Sequence, residues 1–430
     1  NDDSNLGLLD VTIPDSEVDD TSYEYNGTVS AAGDNIIIGN TVKAGTITVV
    51  ADGNLTVDAG LDAGNNGSIT LTAGKSFDNT ITGTIDGGDI VISAADGNVS
   101  INGTLNAKQD LSIEAVNGNI NQTAAITVGN EASIKASEDI NLNSLDNNFA
   151  GAVNIEGTNI KLVDASAIEL GAVTATGNLD VNAQGAITQS GAADVEGTTK
   201  LVAKSDTEKF DITLNNGANN FNDIAAEGAN ITLVDANTIK LSEVTASTLT
   251  LGADSEVSGT VSATDIAAGT TTVKVNTGAD VNVGETLTAG TLDVDGGTVD
   301  AKNITATVDQ DGGAITVTET IKGDVEVDGD STLKAKKVDG ALTQTAGTVG
   351  DASEALEVTG ALTQNGGTIN ADTLTLKGGA TQTAGKIDAN TLAFDSEAAD
   401  VSLTSDQNDF DTIEGVKVFE AFRDLLLKSK

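Results

Sequence analysis

ITVVA ends at Ala51, ITLTA at Ala73, IVISA at Ala94, LSIEA at Ala115 and ASIKA at Ala136. One five-residue pattern returns after 22 residues and then every 21. A fixed period of this length constrains the fold strongly, because each repeat must pack on its neighbours in the same way. Within a block the apolar residues alternate, as in Ile69, Leu71, Ala73 and Ile90, Ile92, Ala94. Period two places those side chains on one face of a strand. A second series runs between the blocks: Val99 and Ile101, then Ile120, then Ile140 and Leu142. Each block follows Asn, Asp or Gly, which turn the chain at little steric cost. One period therefore holds at least two short strands and their corners.

The period persists further along. GALTQTAGTVG starts at Gly340, GALTQNGGTIN at Gly360 and GATQTAGKIDA at Gly379, setting Gln344, Gln364 and Gln382 at steps of 20 and 18. An antiparallel meander would reverse direction every strand. Here the same pattern returns in the same orientation, with Ala at the same end. A coil achieves this, with Ala on Ala, Ile on Ile and Gln on Gln. The expected fold is all-β, a right-handed parallel β-helix (β-solenoid), its hand following from the crossover rule. At about 20 coils of 18–22 residues and about 4.8 Å per coil, it would be about 100 Å long. The glutamines could form an amide ladder or lie on a solvated face.

Composition agrees. Among 430 residues aromatics are 2%, and Cys, Met, Trp and His are absent, so Ile, Val, Leu and Ala must fill the lumen. Pro14 is the only proline and lies outside the repeats, as a ladder requires. Lys plus Arg is 21 against 65 Asp plus Glu, a net charge of −44. Such a chain disfavours nucleic acid and anionic membranes as partners and attracts cations. No 18-residue apolar run exists, so no membrane insertion by a helix is expected. A start at Asn1 without any Met suggests a processed product or a fragment.

A slower repeat overlies the coil. DINLNSLDNNF ends at Phe149 and DITLNNGANNF at Phe221, 72 residues later, with a partial copy, DVSLTSDQNDF, ending at Phe410. NIKLVDASAIELGAVTATGNL from Asn159 matches NITLVDANTIKLSEVTASTL from Asn230. These stretches, with GAITQSG ending at Gly191, resemble repeats of filamentous-haemagglutinin-type bacterial exoproteins exported by a two-partner route. The resemblance implies an extracellular β-helix and surface display, adhesion or fibre-building. The Asn-Pro-rich secretion domain of that family is not evident, since Pro14 stands alone.

The ends differ from the body. Residues 1–30 lack the period, hold Tyr23 and Tyr25, and read as a cap or a strand-donating arm. Residues 31–415 read as the β-helix. Residues 416–430 carry Val418, Phe419, Phe422, Leu425 and Leu426 at helical spacing together with Arg423, the one Arg, which predicts a short amphipathic capping helix that could also dock a neighbour. Open solenoid ends need covering, and joining end to end without closure makes a filament.

Catalysis is not expected. β-Helix polysaccharide lyases and hydrolases need placed carboxylates, a base and sugar-stacking aromatics. This chain lacks His and Trp, and its one Arg lies near the end. Acidic turns at Asp86 and Asp89, Asp309 and Asp311, and Asp328 and Asp330 are the candidate sites for loosely bound Ca²⁺, although none completes a calcium-loop pattern. The sequence thus points to a secreted bacterial surface protein with a structural role as a rod, fibre or coat component. Self-association through its ends is the expected partnership. The alternative is an adhesin with a cell-surface receptor.

Overall fold

The computed structural model describes residues 27–395, 400–415 and the backbone of 425–427, and the first strand among them starts at Thr28. The chain forms a parallel β-solenoid of about 19 turns, with no helix among the described residues. It divides into two compact units, Asn1–Ala229 and Asn230–Lys430.

In the first unit, three strands make a turn. Ser68–Ala73, Phe77–Asn79 and Thr84–Gly87 form one; Asp89–Ala94, Val99–Ile101 and Leu105–Ala107 form the next. Each strand pairs in parallel with its counterparts in the neighbouring turns. Ala51, Ala73, Ala94, Ala115 and Ala136 are successive register partners, so the Ala column read from the sequence is present. Ile69 stacks on Ile90, and Ile92 on both Leu71 and Ile113. These inward side chains are fully buried, and each large one contributes about 1.5–3 kcal/mol by leaving water. Among the described residues, the antiparallel bridge Lys204–Lys209 departs from this parallel pairing.

Later strands grow longer because they bond through their corners. Ile168–Ala175 and Ala193–Ala203 do so at irregularities in register, which bend a strand without ending its ladder. In the second unit, Asp280–Lys322 keeps strand bonding for 43 residues. Its later turns are regular: Thr368–Leu376 lies on Lys386–Phe394, with Ile369 on Ile387 and Leu374 on Leu392.

Corners demand small residues where coils touch backbone to backbone. The Gly four residues before each of Gln344, Gln364 and Gln382 does this. A Cβ on Gly360 would lie 2.5 Å from the Gly340 carbonyl carbon and oxygen, and one on Gly378 would strike the Gly360 carbonyl.

Of the expected C-terminal helix over 416–430, only Leu425–Leu427 fall among the described residues, and they are not helical. Leu425–Leu427 is a strand that pairs in parallel with Val401–Leu403, continuing the column one turn further. Leu425 and Leu426 are therefore ladder residues, because extended backbone there meets an open strand edge that it can pair with. Phe419, Phe422 and Arg423 lie outside the described residues, as do Tyr23 and Tyr25.

Candidate functional site

The most elaborated chemistry lies inside the coil. Gln344, Gln364 and Gln382 are register partners with 0%, 0% and 2% exposure, so they form a buried column and not a solvated face. Gln364 Nε2 donates to Gln344 Oε1 at 3.1 Å, and Gln382 Nε2 to Gln364 Oε1 at 2.8 Å. The other amide proton serves the backbone: Gln344 Nε2 reaches the carbonyls of Gly347 and Thr368, both at 3.1 Å, and Gln364 Nε2 reaches that of Lys386 at 3.1 Å. Gln310 binds the Gly313 and Thr332 carbonyls in the same way, at 3.2 Å each. Gln310, Gln344 and Gln364 thus each give backbone carbonyls a second, side-chain donor inside the coil.

Three asparagines complete this scheme. Asn147 Nδ2 donates to Gln122 Oε1 at 3.0 Å, and Gln122 Nε2 donates back to Asn147 Oδ1. Asn219 and Gln189 repeat the exchange at 3.1 and 2.5 Å, and Asn408 and Gln382 at 2.7 and 2.9 Å. In each pair the Asn Oδ1 also accepts a backbone N–H from just beyond the Gln: Ile126 at 2.9 Å, Ala193 at 3.0 Å and Ile387 at 2.9 Å. All three asparagines are fully buried. These are the Asn residues two before Phe149, Phe221 and Phe410. The NNF and NDF text of the long repeat thus marks a two-bond amide clasp. The recurring pattern was visible in the sequence; its pairing with a Gln 25, 30 or 26 residues earlier was not.

A buried carboxylate supports the first clasp. Asp164 Oδ2 accepts the Phe149 N–H at 2.7 Å, while Oδ1 accepts the Ser166 N–H and hydroxyl at 2.7 and 2.8 Å. Burial outweighs these bonds and raises its pKa above the usual carboxylate range.

Outside, the corner residues form a second ladder. Asn35 Oδ1 accepts the Asn54 N–H at 2.8 Å, Asn98 that of Asn119 at 2.9 Å, and Asn119 that of Asp139 at 3.0 Å. Asp139, Asn159 and Asn178 continue it to Thr198. In the second unit, Asp254, Asp265 and Asp324 do the same for Thr272, Thr286 and Ala341.

The proposed calcium residues are spread along this exterior. Asp86 pairs with Lys108 at 3.5 Å and accepts from Asn106 Nδ2 at 3.3 Å; Asp89 accepts the Asp110 N–H at 3.3 Å. Asp328 accepts the Gly329 N–H at 2.6 Å, while Asp311 and Asp330 are exposed. Burial, then the charges of Asp311, Glu326, Asp293 and Asp295, push the Asp309 pKa up. Lys274 offsets part of that field, lying 3.2 Å from Asp293 and 2.6 Å from Asp295. Among the described residues, no three acidic side chains are arranged to hold a metal ion.

Compared with known proteins, the chain matches a family model described as repeats of unknown function (DUF5649), over residues 87–156 and again over 157–226. Each matched segment contains one clasp, Gln122–Asn147 in the first and Gln189–Asn219 in the second. No curated protein and no solved structure matches the chain. The two matched segments adjoin and cover 70 residues each, close to the period of the long repeat.

Proposed function

We propose that this chain is an extracellular structural β-solenoid of bacterial origin, a fibre or surface-coat component that joins head to tail. The observation that carries this reading is the repetition of one stacking scheme, Ala on Ala inside and Asn to backbone N–H outside, from coil to coil. A fold built this way spends its polar side chains on holding coils together. The placement of carboxylate, base and aromatic platform that sugar-cleaving chemistry needs has little room in such a scheme, so the role is structural and not catalytic. The likeness of the long repeat to exoprotein text supports secretion. The strongly negative charge supports solubility for a long particle outside the cell and loose Ca²⁺ at its acidic turns.

A second reading, adhesion, draws on one feature. An open depression of about 590 Å³ in the second unit is lined by Thr245, Ser262, Asn282, Asp300, Lys302 and Thr316. Its hydroxyl, amide and charged groups suit a glycan or a receptor surface.

Electron microscopy of the concentrated chain separates the two. Particles joined end to end support the structural reading. Isolated particles at every concentration, together with glycan-array binding lost in Asn282→Ala, favour adhesion. Melting with and without a chelator tests calcium, because a bound ion raises the midpoint by mass action.

A further inference from the structure

We infer that the Gln–Asn clasps are register locks, fixing which coil stacks on which as the solenoid forms. The need arises from the repeat itself. Lumenal positions are filled by Ile, Leu, Val and Ala in nearly interchangeable order, as Ile90 on Ile69 and Leu111 on Ile90 show. A slip by one whole coil would keep apolar on apolar and Ala on Ala, so hydrophobic burial discriminates weakly against it. An amide pair discriminates strongly. Gln189 and Asn219 satisfy each other and the Ala193 N–H only when their coils are correctly placed. Displaced by a coil, the fully buried Asn219 would face apolar side chains with its donors and acceptors unpaired, and the half-buried Gln189 would lose its partner. Buried polar residues set register at some cost in stability in other repetitive assemblies.

The distribution of clasps fits this role. They are not in every coil, as a purely stabilising ladder would be. One occurs in each 70-residue segment matched by the family model, and another closes the glutamine column at Asn408. The sequence mark is a Gln followed by Thr or Ser, answered by Asn two residues before a Phe.

Two cysteine reporters read register in this cysteine-free chain. Asp180 and Lys200 are partners on adjacent coils, so Asp180→Cys/Lys200→Cys should form a disulfide in the native register. Lys161 stands one coil before Asp180, two coils from Lys200, so Lys161→Cys/Lys200→Cys should cross-link only after a one-coil slip. Each reporter is placed in the full chain with and without Gln189→Leu/Asn219→Leu, refolded from urea and oxidised. With the clasp intact, the native reporter cross-links and the slipped one stays at background. Without it, the slipped reporter should rise at least five-fold over that background while the native one falls. An unchanged slipped signal with full native cross-linking would overturn the proposal. Loss of both cross-links would also overturn it, since the clasp would then be needed for folding as such.

Discussion

Asn408 ends the glutamine column by exchanging two amide hydrogen bonds with Gln382, 2.7 Å from Asn408 Nδ2 to Gln382 Oε1 and 2.9 Å in return. Gln382 also donates to Gln364 Oε1 at 2.8 Å, so four amides form one chain through the lumen. Such a chain is vulnerable in the middle. Gln364→Leu keeps the volume but leaves Gln344 Oε1 and the Lys386 carbonyl without their donor. At about 1–3 kcal/mol for each buried unsatisfied group, the loss should be about 2–6 kcal/mol in urea unfolding. Replacing Gln344, Gln364, Gln382 and Asn408 together by Leu should cost less than the sum of the single changes, because no side-chain amide of the column is then left orphaned.

Gly360 and Gly284 offer a matched pair. A Cβ on Gly360 meets backbone of the adjacent coil at 2.5 Å, and backbone cannot rotate away; one on Gly284 has nothing nearer than 3.6 Å. Gly360→Ala should therefore destabilise by about 1–3 kcal/mol. Gly284→Ala should be neutral or stabilising by about 0.4–1 kcal/mol through the unfolded chain. Thermal melting of the two variants beside the parent checks both.

Asp164 should make stability depend on pH in the acid range. Its folded pKa is raised above the ordinary aspartate value, with burial the chief cause. The folded state therefore binds its proton more tightly, and this contribution is fully present below the unfolded pKa. It is lost as pH rises through the folded value. Relative to Asp164→Asn, the parent should be comparatively more stable at about pH 3.5 than at pH 7. Urea midpoints for both proteins across that interval test the sign.

Lys274 sits between Asp293 and Asp295 on a half-exposed face. Those two carboxylates raise its pKa, Asp295 most strongly. An exposed pair of this kind contributes little in salt, so Lys274→Met should cost about 0.2–1 kcal/mol at low ionic strength. The cost should shrink toward zero at about 1 M NaCl, where the screening length is about 3 Å. A loss that persists in high salt would point to the packing of the lysine stem instead.

The coil was legible because its signal is periodic and carried by backbone geometry. Ala51 to Ala136 align as their spacing requires, and Gln344, Gln364 and Gln382 stack as their text suggests. The clasps were half legible. NNF was seen to recur, but Asn147 meets Gln122 only after a full turn of chain whose length varies, so no fixed offset joins them. The C-terminal segment misled for a local reason. Leu425 and Leu426 fit a helical stripe, yet an open strand at Val401–Leu403 offers extended backbone a partner that periodicity does not record. The corner asparagines read as cheap turns, and their bonds to the next coil became apparent only when coils were stacked.

Asn119 tests whether those corner bonds matter. Its Oδ1 accepts the Asp139 N–H at 3.0 Å, and its Nδ2 donates to Glu138 Oε2 at 2.6 Å. The site is exposed, so water can replace either partner, and the net worth of the backbone bond is about 0.5–1.5 kcal/mol. Asn119→Ala should lose about that much. Asn119→Asp keeps the acceptor, as Asp139 does one coil later for the Asn159 N–H at 3.1 Å, but it places a charge beside Glu138. Its loss should therefore be salt-sensitive and nearly vanish at about 1 M NaCl, whereas that of the alanine variant should persist. Urea unfolding of both variants at low and high salt separates the lost acceptor from the added charge. Equal, salt-independent losses would mean that the Asn side chain serves the corner through its donor and not through its carbonyl.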